Sequence, residues 1–302
     1  MPEKLVNSIL QCNMANSAVA GMLRFIGMAG LKRLTAILLR YNQGRFAHPP
    51  WLQSWLQYQA APFLHCLLGM HLSTHFNFEQ FQQMTPLNGV NIWEYILDRH
   101  AGRIGVKRRK PALENLERIF GATFRLANDV GFRAMSLRDL CRETGLSMGG
   151  LYGYITGKDQ LAEMIEDVVR HATQALPQLF VDVKSPLDRL EAMIRSSIYL
   201  SEILQPWFYF VYMDSRVLQV EQRSMAKQSE LYVQTLLAKT ILEISPQPQG
   251  DPTMLASHCL ALFQDWYVKR WKYRAAKVSV DDFADSTVRT VRGYLSVCGH
   301  AT

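Results

Sequence analysis

Four consecutive cations near the middle of this chain have the chemistry to bind a polyanion: Lys107, Arg108, Arg109 and Lys110. They belong to a segment, residues 103–160, with eleven Lys and Arg against six Asp and Glu, a net charge of +5. Residues 1–102 have seven against four and residues 161–302 have 15 against 16, so the positive excess is concentrated in this segment. Neutralised phosphates release condensed counterions, which favours binding to nucleic acid. The four cations could follow a phosphate backbone or enter a minor groove, and a solvated linker is the alternative.

Two helix-start signals follow this basic run and indicate how a reading surface would be positioned. Ser136 has Asp139 three residues later, an acidic variant of the capping box, and Gly145 is suited to end that helix. Ser147 is then suited to cap a second, short helix. The spacing predicts a helix-turn-helix. Two crossed helices would then touch through Leu140, Cys141, Leu146, Leu151 and Tyr154.

A longer amphipathic helix before this pair is predicted to support it. Its apolar face is defined by residues at three- and four-residue spacing, namely Leu116, Ile119, Phe120, Thr123, Phe124 and Ala127. The stretch from Asn128 to Phe132 would form the exit from this helix. The segment from Leu113 to Lys158 therefore has the organisation of a DNA-reading unit.

At this point a family resemblance is plain. The run GFRAMSLRDLCRETGLSMGGLYGYITGKDQL resembles the signature of TetR-type (TetR/AcrR family) regulators, which has a Gly-aromatic step, a Ser/Thr-capped helix, Ser-x-Gly-x-Leu-Tyr and a Lys-Asp/Glu pair. Two residues depart from the pattern: Gly153 stands where a larger DNA-facing side chain is usual, and Ile155 replaces the usual Phe. The resemblance implies positions that face DNA or pack the reading helix, which are Ser136, Leu137, Arg138, Ser147, Met148, Gly149, Gly150, Tyr152, Gly153, Tyr154 and Lys158.

The rest of the chain predicts an all-α protein in three parts. Residues 1–102 form an added helical module of unknown role, residues 103–165 the helix-turn-helix domain, and residues 166–302 an effector-binding and dimerisation domain. Helices are expected near residues 160–176, 187–204, 207–245, 252–277 and 280–298, separated mostly by prolines. Five scattered cysteines imply no disulfide framework and favour the cytoplasm. Prolines interrupt the uncharged stretch at 46–78, which argues against membrane insertion.

Two apolar groups in the last part carry candidate roles. The segment around 207–213 could line a pocket for a small hydrophobic effector, with core packing as the alternative, and its candidate residues are Trp207, Phe208, Phe210, Val211 and Met213. In TetR-type proteins the last two long helices form the dimer interface. Here that resemblance implies a homodimer through Phe263, Tyr267, Trp271, Val288, Val291 and Leu295, with packing inside one subunit as the alternative.

Enzyme and metal signals are weaker than this regulatory pattern. Gly145 to Gly149 fits the G-x-S-x-G nucleophile motif, but that motif needs a strand before the serine and a capped helix is predicted there. Ser224 to Lys227 matches S-x-x-K without companion motifs. The histidines His65, His71 and His75 lack a completing carboxylate, so no metal site and no cofactor are expected.

The sequence thus favours a cytoplasmic regulator, not an enzyme, that binds double-stranded DNA as a homodimer. A repressor released by a small hydrophobic effector is the first hypothesis. The alternative is an activator or a corepressor-dependent regulator with the same DNA-binding domain. A serine hydrolase that uses the GLSMG motif is a distant alternative.

Overall fold

The computed structural model describes residues 76–85, 90–106, 108–180, 183–214, 219–245 and 250–298. The chain divides into two compact units, Met1–His71 and Leu72–Thr302, and all described residues belong to the second. The boundary expected near residue 102 therefore falls inside this unit. The proposed role of residues 1–102 as a separate module stays a prediction, and the histidine cluster at 65–75 lies outside the described residues.

The described residues form helices without β-strands. The first six are α1 Phe78–Met84, α2 Val90–Arg99, α3 Arg109–Val130, α4 Leu137–Thr144, α5 Met148–Tyr152 and α6 Lys158–Ala175. A 3-10 turn at Leu176–Phe180 follows. The remaining six are α7 Pro186–Ile203, α8 Gln205–Asp214, α9 Val220–Ile244, α10 Pro252–Val268, α11 Arg270–Ala275 and α12 Val280–Cys298. The all-α prediction is confirmed. The expected helix at 207–245 is two helices, α8 and α9.

Three of these helices form the predicted DNA-reading unit. On α3, the buried face includes Leu116, Ile119, Phe120 and Thr123, as the spacing predicted. Helix α4 packs on α3, and α5 packs on α4. The apolar face of α3 therefore supports α4 and α5, which are called the reading pair below.

The remaining long helices form a second core. Helix α7 lies at its centre and contacts α9, α10 and α12. Its start is fixed by the Ser185 cap and by Pro186 in the first turn, where a missing N–H costs nothing. Helix α6 connects the reading unit to this core, since it follows α5 directly and packs on α8 and α9.

None of the helices in the described ranges is both long and apolar enough to cross a membrane. On α7, the side chains of Ile198 and Tyr199 are fully buried.

Candidate functional site

The reading pair has the predicted caps. The Ser136 hydroxyl accepts a hydrogen bond from the Asp139 N–H at 3.1 Å, and the Asp139 carboxylate accepts one from the Ser136 N–H at 2.9 Å. Hydrogen bonds from Ser136 lower the pKa of Asp139. Gly145 ends α4 with φ +68°, in the left-handed region that favours glycine. At the start of α5, the Ser147 hydroxyl accepts a hydrogen bond from the Gly150 N–H at 3.1 Å, so the serine of the G-x-S-x-G match serves as a helix cap.

Two polar side chains on α3 fix the orientation of this pair. The Arg118 guanidinium donates to the Thr144 carbonyl at the end of α4. The Asn115 amide donates to the Tyr154 hydroxyl at 2.9 Å. Sequence reasoning missed both residues, because polar side chains on a mostly exposed helix face carry no distinctive pattern.

The exposed surface of the reading pair carries five of the residues implied by the family resemblance: Ser136, Arg138, Ser147, Gly149 and Tyr152. Arg138 forms no ion pair or hydrogen bond within the described part of the chain, so its guanidinium is available to a ligand. Tyr152 is also largely exposed. Leu137, Met148, Gly150 and Gly153 are half-buried at the edges of the same surface. This surface has the donors that recognise base edges and phosphates.

Two further residues implied by the family resemblance, Tyr154 and Lys158, do not present their polar groups on this exposed surface. Tyr154 is buried, with its hydroxyl bonded to Asn115. The Lys158 ammonium donates to the carbonyls of Phe132, Arg133 and Met135 at 3.2, 2.8 and 2.7 Å. All three of its donors are thereby directed at the turn before α4. In this geometry Tyr154 and Lys158 position the reading helices and do not present a polar group to DNA.

The four residues of the basic run, 107–110, also lie in different environments. Arg108 and Lys110 are exposed, and neither forms an ion pair within the described residues. Arg109 pairs with Asp98 of α2 at 2.7 Å and approaches Glu94 at 3.7 Å. Lys107 lies outside the described residues. Arg108 and Lys110 are therefore the described cations of the run with charge available to a phosphate.

The segment between α2 and α3 lies against the end of α5. The Gly105 N–H donates to the Gly153 carbonyl at 3.0 Å. A Cβ at position 153 would be 3.3 Å from the Val106 Cγ2 and 3.2 Å from the Gly150 carbonyl oxygen, which is a tight fit. The departure of Gly153 from the family pattern therefore has a local explanation: the space of a side chain is occupied by residues 105–106.

Two glycines of the reading surface should consequently respond differently to replacement by alanine. Gly149→Ala meets no atom within 4 Å. It should stabilise the free protein by about 0.5–1 kcal/mol, because glycine is the poorer helix former. Gly153→Ala should give no such gain, since its methyl group would press on Val106. Thermal denaturation of the two variants tests this, and an equal gain for both would remove the steric explanation.

Helix α2 contacts both the reading unit and the second core through one aromatic cluster. The Trp93 ring centroid is 5.9 Å from those of Phe120 on α3 and Trp207 on α8. Phe120 and Trp207 are themselves stacked at 4.9 Å. These aromatic contacts connect three helices, so movement of α8 would be felt by α3.

A charged network links α2 to α6. The Arg99 guanidinium binds the Asp167 carboxylate in a bidentate arrangement, with one of the two contacts at 2.9 Å. Arg170 also binds Asp167, and it contacts Glu166 at 3.1 Å. Burial opposes ionisation of Asp167, but the imidazole of His100, 3.6 Å away, and the hydrogen bonds from Arg99 hold its pKa well below the ordinary value. The carboxylate is thus ionised and compensated.

A cavity of about 380 Å³ lies in the second core, within the size range of small-molecule sites. It is bounded by α6, α7, α8, α9 and α10. Its apolar wall includes Leu200, Phe208, Val211, Val233, Phe263 and Tyr267. Arg170 also lines it, so the charged network of α6 borders the cavity.

The five candidate effector residues are distributed over two faces of α8 and its end. Phe208 and Val211 line the cavity. Trp207 and Phe210 are buried on the other side, where Phe210 lies 4.9 Å from Phe132 of the reading unit. Met213 is half exposed and is not part of the cavity wall. Helix α8 therefore separates the cavity from the reading unit.

The six residues predicted for the dimer interface are also divided between two environments. Trp271 is 72% exposed, whereas the other five are buried within this single chain: Phe263, Tyr267, Val288, Val291 and Leu295. Phe263 and Tyr267 belong to the cavity wall. Side chains already covered inside one subunit cannot also cover a partner, so a dimer through α10 and α12 would use their outward faces, where Met254 and Tyr294 are exposed.

Comparison with known proteins gives a family match to one segment and a fold match to most of the chain. Residues 119–165 match the model described as bacterial regulatory proteins, tetR family. A tetR-family regulatory protein from Rhodococcus RHA1 matches with a TM-score of 0.52 at 19% identity, covering 63% of this chain and 99% of that one. The ketosteroid transcriptional regulator KstR2 of Mycobacterium tuberculosis matches with a TM-score of 0.52 at 15% identity, covering 66% and 100%. No curated protein sequence matches the chain.

Proposed function

We propose that this protein is a sequence-specific transcriptional regulator controlled by a small effector, because residues 119–165 match the tetR-family model and the all-α fold is similar to those of tetR-family regulators. We further propose that it is a cytoplasmic homodimer and that the effector releases it from its operator, as a repressor. The observation that carries this proposal is the position of α8, which has one face on the cavity and the other on the reading unit.

The DNA contact follows from the exposed surface of α4 and α5. On this surface, the guanidinium of Arg138 is available to a ligand. Its paired N–H donors suit a bidentate contact to the edge of a guanine base. Arg108 and Lys110 precede α3 and suit phosphate contacts, which position a protein without reading sequence. In a dimer, two such readers fit successive major grooves when they are about 34–36 Å apart.

The effector would act by changing that separation. A ligand in contact with Phe208 and Val211 presses on one face of α8. Trp207 and Phe210 on its opposite face contact Phe120 and Phe132 of the reading unit. Packed aromatic side chains have few alternative arrangements, so a shift of α8 is passed on as a rotation of the reader.

Operator selection tests the DNA-binding part of this proposal. From a random duplex pool, the protein should select a pseudo-palindrome. If six or more phosphates are contacted, affinity should fall roughly a thousandfold between 50 and 200 mM salt. Failure to enrich any palindrome, together with binding that is insensitive to salt, would contradict the proposal.

Arg138 should contribute to sequence preference and not only to affinity. Arg138→Ala should weaken operator binding by about 1–3 kcal/mol and relax preference at one position of each half-site. Lys239→Ala, a change of an exposed cation on α9, is the matched control and should leave preference unchanged. Competition with single-base operator variants measures the difference. Equal losses on operator and unrelated duplex would instead assign Arg138 to a phosphate.

A further inference from the structure

The polar groups around the cavity identify the kind of ligand it would bind. Three cavity serines differ in the use of their hydroxyls. Ser197 donates to the Met193 carbonyl at 2.7 Å, and Ser201 donates to the Ile198 carbonyl at 2.7 Å. Ser229 is 8% exposed, and its hydroxyl has no hydrogen-bond partner within the described residues. A serine inside a helix usually donates to a carbonyl one turn back, so this buried hydroxyl is left for a ligand atom.

The charges of the cavity wall lie mainly on one helix. Arg223 and Lys227 are four residues apart on α9, both are exposed, and neither forms an ion pair within the described part of the chain. Glu230, on the same face, is exposed and accepts a hydrogen bond from the Gln264 amide at 3.0 Å. The inner pair, Glu166 and Arg170, is mutually compensated. The mouth of the cavity therefore has a net positive charge.

The order of these residues along α9 gives the ligand an orientation. Arg223 and Lys227 are exposed, whereas Val233 is buried in the cavity wall. At 1.5 Å per residue, Lys227 and Val233 are separated by about 9 Å along the helix. An anionic group at the mouth can thus coexist with an apolar body in the interior, and Ser229 lies between the two along the helix.

We propose that the effector is an amphiphilic organic anion. Its anionic head is bound by Arg223 and Lys227, an oxygen in its body accepts a hydrogen bond from Ser229, and its apolar end occupies the region lined by Leu200, Val233 and Phe263. This inference rests on the proposed effector control, because it specifies the ligand of the same cavity.

Three matched probes test the ligand class on the full-length protein. N-octanoylglycine has a carboxylate, an inner carbonyl and an alkyl chain. N-octanoylethanolamine lacks the carboxylate, and undecanoate lacks the inner carbonyl. N-octanoylglycine should bind with the lowest Kd, and each of the other two should bind about tenfold more weakly, the factor that corresponds to one charged or well-formed hydrogen bond. Calorimetric titration measures the three Kd values. Equal Kd values for the carboxylate and its neutral analogue would overturn the proposal.

Variants assign each preference to its residue. R223Q/K227Q should abolish the advantage of N-octanoylglycine over N-octanoylethanolamine, while K239Q on the same helix should keep it. Ser229→Ala should abolish its advantage over undecanoate, while Ser201→Ala should keep it, because that hydroxyl is already bonded to its own helix. If the preferences survive both R223Q/K227Q and Ser229→Ala in folded proteins, the ligand binds elsewhere and the inference is wrong.

The same samples separate this inference from the proposed function. Operator binding without any probe binding would leave the regulator intact and reject the ligand class. Probe binding with the predicted preferences, but without selection of any duplex, would support the ligand class and reject the regulator.

Discussion

Replacement of Asp167 by alanine should lower the free energy of unfolding by about 3–5 kcal/mol, the cost of removing one partner from a buried ion network. Asp167 is the shared acceptor of Arg99 on α2 and Arg170 on α6, and His100 lies 3.6 Å from it. Without the carboxylate, Arg99 would lose its ion-pair partner and Arg170 would keep only Glu166. Urea denaturation monitored by tryptophan fluorescence and circular dichroism measures the loss.

Glu163→Ala is the matched control for this change. Glu163 is on the same helix and pairs with Arg103 at 2.8 Å, but the two side chains are 33% and 53% exposed. Water competes for such a pair, so the expected loss is below about 1 kcal/mol. Equal losses for the two variants would mean that the Asp167 network does not hold α2 in place.

The difference between the two variants should also depend on pH with a fixed sign. The pKa of Asp167 is depressed in the folded state, so its contribution is complete above the ordinary aspartate value, 3.8. It is lost as the pH falls from there towards the folded-state pKa. The deficit of Asp167→Ala should therefore shrink below about pH 4 and stay constant above about pH 5. A deficit that grew on acidification would contradict the assignment.

Lys158→Met should destabilise the reading unit and weaken DNA binding as a consequence. The ammonium donates to three carbonyls of the turn between α3 and α4, and charged hydrogen bonds of this kind together contribute about 2–3 kcal/mol. Methionine keeps most of the length of the side chain without the charge. The start of α4, which carries Arg138, should then lose its fixed position. We expect a lower Tm and at least a tenfold loss of operator affinity.

The salt dependence of binding distinguishes this role from a phosphate contact. A lysine that neutralises a phosphate lowers the salt slope by about one when it is removed, without an effect on the free protein. Lys110→Met, at an exposed position, should behave in that way. Lys158→Met should keep the slope of the parent and lose stability. A stable Lys158→Met protein with a reduced slope would instead show that Lys158 faces DNA and contacts a phosphate.

The local parts of the fold could be predicted because their signals are local. The capping box needs only Ser136 and Asp139, and the left-handed turn needs only Gly145. These contacts span one to four residues, so spacing along the sequence is sufficient to identify them. The amphipathic face of α3 was predictable for the same reason.

The long-range parts could not be predicted from spacing. Arg99 and Asp167 are 68 residues apart, and nothing in either neighbourhood indicates the other. On α8, the dense aromatic sequence gave no basis for separating Phe208, which lines the cavity, from Trp207, which contacts the reading unit. Which face of an all-apolar helix meets which neighbour depends on the packing of the whole core.

The close approach of Val106 to Gly153 has a consequence for how such a protein can change over generations. Glycine at position 153 leaves the space that residues 105–106 occupy, so a bulky residue at 153 is not compatible with this course of the chain. A larger residue at 153 would press on Val106, so it could enter only if this segment moved. The identity of residue 153 and the course of the segment before α3 are therefore coupled, and a homologue in which this segment takes another course should tolerate a larger residue at that position.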